Sequence, residues 1–92
     1  MEIFVLDGTK MTDRETAHAY IARTLGFPAY YGGNLDALAD CLSEMGRETC
    51  IVLTDRDEIE KKLGRVYADR MLGVFLEQSG CCGFQFMICN DI

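Results

Sequence analysis

Three short apolar runs, Glu2 to Leu6 (EIFVL), Cys50 to Leu53 (CIVL) and Phe84 to Cys89 (FQFMIC), are separated by longer stretches with helical periodicity. Runs of this length bounded by turn signals read as strands. Strands that alternate with helices favour a parallel sheet joined by right-handed crossovers. The expected fold class is therefore α/β: a three-stranded parallel sheet with three to four helices packed on it. The unbroken apolar character of Phe84 to Cys89 suggests a strand buried on both faces.

The intervening stretches carry their own start and stop signals. Asp7-Gly8 marks a turn after the first strand, and Thr12 or Asp13 can cap the first helix. Ala17, Tyr20, Ile21, Thr24 and Leu25 recur at helical spacing until Gly26 and Pro28 end the pattern, with Phe27 placed under the loop. Asn34 is a candidate N-cap for a second helix, whose Leu35, Leu38, Leu42 and Met45 form an apolar stripe and which Gly46 closes. "DRDEIEKKLG" reads as a polar helical turn or short helix, solvated and laced by pairs such as Asp57 with Lys61; no function attaches to it. Arg65 to about Ser79 gives the last helix, with Val66, Met71, Leu72, Phe75 and Leu76 mostly inward, and Gly80 to Gly83 turn the chain. Ninety-two residues with 49% hydrophobic content suit one domain over 1–92, without repeats, low-complexity segments or linkers.

Fifteen acidic residues against nine Lys and Arg leave a net charge of −6. That balance argues against nucleic acid and anionic membranes, which recruit cations, and favours a basic partner; the plain alternative is charge kept for solubility. The five cysteines make an odd count with no CxxC spacing, so neither a metal site nor a cofactor is indicated. Cys41, Cys50 and Cys89 lie in apolar runs, as reduced thiols of a cytoplasmic protein do, while Cys81 and Cys82 are open to adventitious oxidation. The N-terminus lacks a basic segment followed by a long apolar one, and no apolar run approaches the roughly 20 residues of a membrane span. The expected location is the cytoplasm.

One stretch, "PAYYGGNLDALADCL" from Pro28 to Leu42, carries more than a fold requires. On a helix starting at Asn34, Leu35, Leu38 and Leu42 point inward, so Asp36, Ala39, Asp40 and Ser43 point outward along one strip. For Asp36 the alternative to a partner contact is structural: an acid in the first turn favours the positive end of the helix dipole. Asp40 lies further along, and a like charge four residues away is mildly destabilising, so a partner explains it better. Tyr30 is expected to make contact and Tyr31 to pack half-buried; Gly32 and Gly33 form a turn or permit close backbone approach. Paired carboxylates could serve glycoside hydrolysis or a metal, but 92 residues hardly build a cleft and both acids sit on the outer strip of one helix. His18 is a lone histidine, read as a surface or packing residue rather than a catalytic base.

"YYGGNLDALADCL" closely resembles the signature of the barstar family, intracellular inhibitors of secreted microbial ribonucleases. The similarity extends to the opening strand with its "DG" turn, the His18 helix, the "IVL" strand and the "VFLE" of the last helix. The resemblance implies a non-enzymatic function, with one chain plugging the active site of one basic, barnase-like ribonuclease. Carboxylates fixed on a helix would take positions of RNA phosphates in a groove lined with Arg, Lys and His. By resemblance, Tyr30, Gly32, Asn34, Asp36, Ala39, Asp40 and Ser43 fall at the family's contact positions, and Glu77 matches its remaining acidic contact. Asp40 then stands as the central anchor, a ranking that belongs to the family's known complex and not to the spacing. Ala39 and Met45 stand where the best-known members carry tryptophans, and Arg47 stands near a position that is acidic there. The rim is altered, which leaves open an acidic interaction module for another basic partner.

Overall fold

A computed structural model describes residues 1–89. Strand β1 (Glu2–Asp7) runs into a single 3₁₀ turn (Gly8–Lys10), followed by α1 (Arg14–Leu25) and α2 (Leu35–Leu42). Strand β2 (Thr49–Thr54) leads through α3 (Arg56–Leu63) and α4 (Arg65–Cys82) to β3 (Gln85–Cys89). The sheet order is β1-β2-β3 with both pairings parallel, and the register aligns Phe4 with Ile51 and Phe86, and Leu6 with Leu53 and Ile88. This is the expected α/β architecture, with four α-helices among the described residues.

Side chains alternate across a strand, so that register puts Leu6, Ile51 and Leu53 on one face of the sheet. There they join Ala17 and Ile21 of α1, Leu38 and Leu42 of α2, Ile59 of α3 and Met71, Leu72 and Phe75 of α4 in one core. Phe75 stacks on Phe86 with ring centres 5.0 Å apart. The opposite face is open: Ile3, Val5 and Met87 are 65%, 52% and 54% exposed. The expectation that Phe84 to Cys89 is buried on both faces is therefore corrected, because the helices cover only one side.

Local chemistry moves several boundaries. Asp13, not Thr12, caps α1, its Oδ1 accepting from the Thr16 amide at 2.7 Å. The turn at Asp7-Gly8 becomes 3₁₀, with Asp7 Oδ1 accepting from the Thr9 amide and hydroxyl. Gly8 lies so close to the carbonyls of Thr54 and Asp55 that a Cβ there would overlap them. Helix α2 stops at Leu42, short of the expected Met45: the Glu44 and Met45 amides donate only three residues back, to the Cys41 and Leu42 carbonyls, and the Ser43 hydroxyl donates to the Asp40 carbonyl at 2.6 Å. Met45 still packs half-buried on the core.

Helix α4 runs through Gly80 to Cys82 and ends at Gly83, whose φ of +88° is the left-handed conformation that glycine adopts freely. Its buried stripe is Ala68, Met71, Leu72 and Phe75. At about 100° per residue, Val66 falls nearly opposite that stripe and Leu76 to its side, so both are exposed and not inward as expected. On α3, Lys61 pairs with Glu58 at 3.2 Å and Arg56 with Glu60 at 3.7 Å, in place of the expected Asp57–Lys61 pair. No helix of the described residues is long and apolar enough to cross a membrane.

Candidate functional site

The segment from Phe27 to Ser43 is shaped from its two ends. Gly26, at φ +74°, ends α1, and the Tyr31 amide donates to the Pro28 carbonyl at 3.0 Å to close a turn. Consecutive tyrosines are thereby sent in opposite directions. Tyr30 projects into solvent at 86% exposure, while Tyr31 folds back to pack its ring 5.1 Å from that of Phe27. Gly33 takes a φ of +68°, which a side chain would strain, and Gly32 and Gly33 are both exposed. Asn34 then caps α2, its Oδ1 accepting from the Ala37 amide at 2.8 Å.

Helix α2 presents one face to the core and the other to water. Leu38 and Leu42 are fully buried, and Asp36 and Asp40 lie exposed on the opposite side, one turn apart. Neither carboxylate has an ion-pair partner among the described residues. Ser43 is exposed with its hydroxyl committed to the Asp40 carbonyl, and Ala39 is half-buried on the flank of the strip. Tyr30, Gly32, Asn34, Asp36, Ala39, Asp40 and Ser43 all lie in this one segment, and all but the half-buried Ala39 are exposed. Glu77 is exposed on α4, the helix against which α2 packs. Glu44, which lies just past the end of α2 and carries no signal of its own in the sequence, adds a third exposed carboxylate four residues after Asp40.

The surroundings are chemically quiet. Burial raises the Cys41 thiol above its ordinary range, and the nearby Glu44 and Asp40 carboxylates add to this, so the thiol stays protonated. Cys41, Cys50, Cys81, Cys82 and Cys89 are all free. Among the described residues no three His, Cys, Asp or Glu side chains are grouped to hold a metal ion. Arg47, expected to change the charge of the rim, lays its side chain over Gly83 at the C-terminal end of α4, where a cation meets the negative end of the helix dipole.

Behind the segment lies a feature that spacing alone does not show. His18 of α1 is 2% exposed, and both ring nitrogens are used: Nδ1 lies 2.7 Å from the Tyr31 hydroxyl and Nε2 lies 2.6 Å from the Tyr67 hydroxyl. A neutral imidazole has one N–H and one lone pair, so one tyrosine accepts from it and the other donates to it. Burial pushes the Tyr31 phenol up, with smaller contributions from Cys41 and Tyr67, which keeps its proton available. The Arg14 guanidinium sits 4.1 Å from the centre of the Tyr67 ring. Arg14, Glu15, His18, Tyr31, Gly32 and Gly33 border a cavity of about 470 Å³ beside the glycine turn.

The comparison with family models decides the relationship: the model for Barstar (barnase inhibitor) matches residues 1–83. The chain belongs to the barstar family. A relative from Bacillus subtilis (strain 168), named "Putative ribonuclease inhibitor YrdF", is 34% identical over 77 residues, spanning 84% of this chain and 85% of the relative. The barstar-family match takes in β1 through α4, and with them the whole segment from Tyr30 to Ser43 and Glu77.

Burial also holds the His18 imidazole below its ordinary value near 6.5. The unfolded chain then takes up this proton at a higher pH than the folded chain does, so protonation favours unfolding. His18 contributes stability that is complete above about pH 6.5 and is lost as pH falls from there towards the folded-state value. Thermal melts should show a lower Tm at pH 5.5 than at pH 7.5, and the difference should shrink in His18→Gln, which has no proton to gain. An equal difference in both proteins would assign the loss to other groups.

Proposed function

We propose that this barstar-family chain is a non-catalytic inhibitor of a basic, barnase-like ribonuclease, folded as one domain over 1–92 and binding one to one in the cytoplasm. The observation that carries the reading is the pairing of Asp36 and Asp40, exposed and without ion-pair partners among the described residues, on a helix that Leu38 and Leu42 lock to the core. A ribonuclease groove holds phosphates with Arg, Lys and His, and two fixed carboxylates can occupy those positions through charge-assisted hydrogen bonds. Tyr30 supplies an exposed ring ahead of α2, and the glycine turn lets the backbone approach the partner closely. Asn34 and Ser43 contribute as contacts whose side chains also shape the ends of α2, and Glu77 extends the acidic surface onto α4. The name of the Bacillus subtilis relative supports the same reading, and five free thiols suit a reducing compartment.

The half-buried Ala39 and Met45 favour a second reading. Without large aromatic groups at those two positions the rim offers less anchoring area, which suits a different basic partner that is not a nuclease. Titration against a panel of secreted basic ribonucleases separates the two: the first reading requires loss of RNA cleavage at one equivalent for at least one enzyme. Binding is steered by opposite charge in this account, so the association rate should fall steeply from low to physiological ionic strength while dissociation changes less. An association rate indifferent to salt would remove the steering role of the acidic strip.

A further inference from the structure

The geometry points to His18 as a positioning residue that holds the Tyr30–Gly33 turn in its binding shape through the hydroxyl of Tyr31. This rests on the reading of that turn as part of the ribonuclease-binding face. His18 is buried in α1, far from the acidic strip in sequence, yet it ties three separate parts of the molecule together. Its Nδ1 meets Tyr31 of the turn and its Nε2 meets Tyr67 of α4. Tyr67 is itself held from outside by the Arg14 guanidinium over its ring. The clamp therefore has a fixed back wall, and its free end is the one residue between exposed Tyr30 and the Gly32–Gly33 pair.

The turn has little else to order it. The Tyr31 amide reaches back to the Pro28 carbonyl, ahead of the turn, and the two glycines after Tyr31 have no side chains to pack. A chain with two adjacent glycines samples many conformations, and ordering them on binding would oppose association. Fixing the Tyr31 ring before the partner arrives removes part of that opposition, and sets the direction in which Tyr30 leaves the surface. A packing role alone would use the Tyr31 ring against Phe27; the hydroxyl held at 2.7 Å is what the positioning role adds.

Three variants separate these roles. Tyr31→Phe keeps the ring and removes the hydroxyl. His18→Asn places its amide near the position of Nδ1 and so can still meet Tyr31, whereas His18→Gln reaches the position of Nε2 and meets Tyr67 only. Loss of the Tyr31 bond should speed dissociation of a bound ribonuclease about tenfold in Tyr31→Phe and His18→Gln. His18→Asn should stay within about threefold of wild type, even where its Tm drops as far as that of His18→Gln. In the free protein, hydrogen exchange at the Tyr31 amide should quicken in the first and last of these variants, Tyr31→Phe and His18→Gln, and not in His18→Asn. Unchanged dissociation in Tyr31→Phe, dissociation that tracks Tm across all three, or unchanged exchange at Tyr31 would each overturn the assignment. If wild type binds no ribonuclease, the functional reading fails by itself, and exchange at the Tyr31 amide still decides whether His18 orders the turn.

Discussion

Asp40→Ala should weaken binding to an inhibited ribonuclease by more than about 2 kcal/mol, the threshold of a hot-spot residue, while leaving the Tm nearly unchanged or slightly raised. Both halves stem from where the carboxylate lies. Asp40 is exposed, has no ion-pair partner among the described residues, and shares its side of α2 with Asp36 one turn earlier. Removing it relieves a like-charge repulsion and breaks no contact of the fold; the Ser43 hydroxyl bonds its backbone carbonyl, which alanine keeps. In the complex the same truncation would leave cationic groups of the partner facing an empty position, which accounts for the size of the loss. Calorimetric titration and thermal melts on the purified variant check the two halves separately. An Asp40→Ala protein that unfolds, or that binds as wild type does, removes the acidic strip as the site.

Leu38→Ala should do the reverse. Leu38 is fully buried in the core that joins α2 to α4 and the sheet. Deleting a buried leucine side chain removes its transfer free energy and leaves a cavity, which together cost about 2–5 kcal/mol. Leu38 and Asp40 are two residues apart and point to different sides of one helix, so their effects separate cleanly. Denaturant melts should show the midpoint falling in Leu38→Ala, and inhibition should weaken only in proportion to the unfolded fraction. A folded Leu38→Ala protein with wild-type stability and lost inhibition would mean that α2 does not turn Leu38 to the core and Asp40 to the partner.

The two faces of α2 are legible in the sequence because they come from one helix and its 3.6-residue period. Leucines at 35, 38 and 42 define the inner side, and the aspartates at 36 and 40 have nowhere else to point. The three strands are legible for the same local reason, as short apolar runs between turn signals. The features hidden from the sequence depend on partners far along the chain. His18 reads as a lone histidine because its two partners lie 13 and 49 residues away, and no periodicity connects them. The end of α2 falls earlier than expected because the backbone tightens to three-residue hydrogen bonds at Glu44 and Met45 before the apolar stripe runs out at Met45. The outer face of β3 reads as covered because Met87 is apolar and parallel sheets are commonly covered on both sides; whether helices lie on one side or two is set by the crossovers, not by the strand itself. Arg47 reads as a rim charge, whereas its position over Gly83 depends on where α4 ends.

An NMR titration of the labelled chain with a ribonuclease it inhibits shows whether the Tyr30–Ser43 segment is the face that meets the enzyme. The largest perturbations should fall on Tyr30, Gly32, Asn34, Asp36, Ala39, Asp40 and Ser43, extend to Glu77, and saturate at one equivalent. Perturbations centred instead on Ile3, Val5 and Met87 of the open sheet face, with Asp36 and Asp40 unmoved, would contradict it.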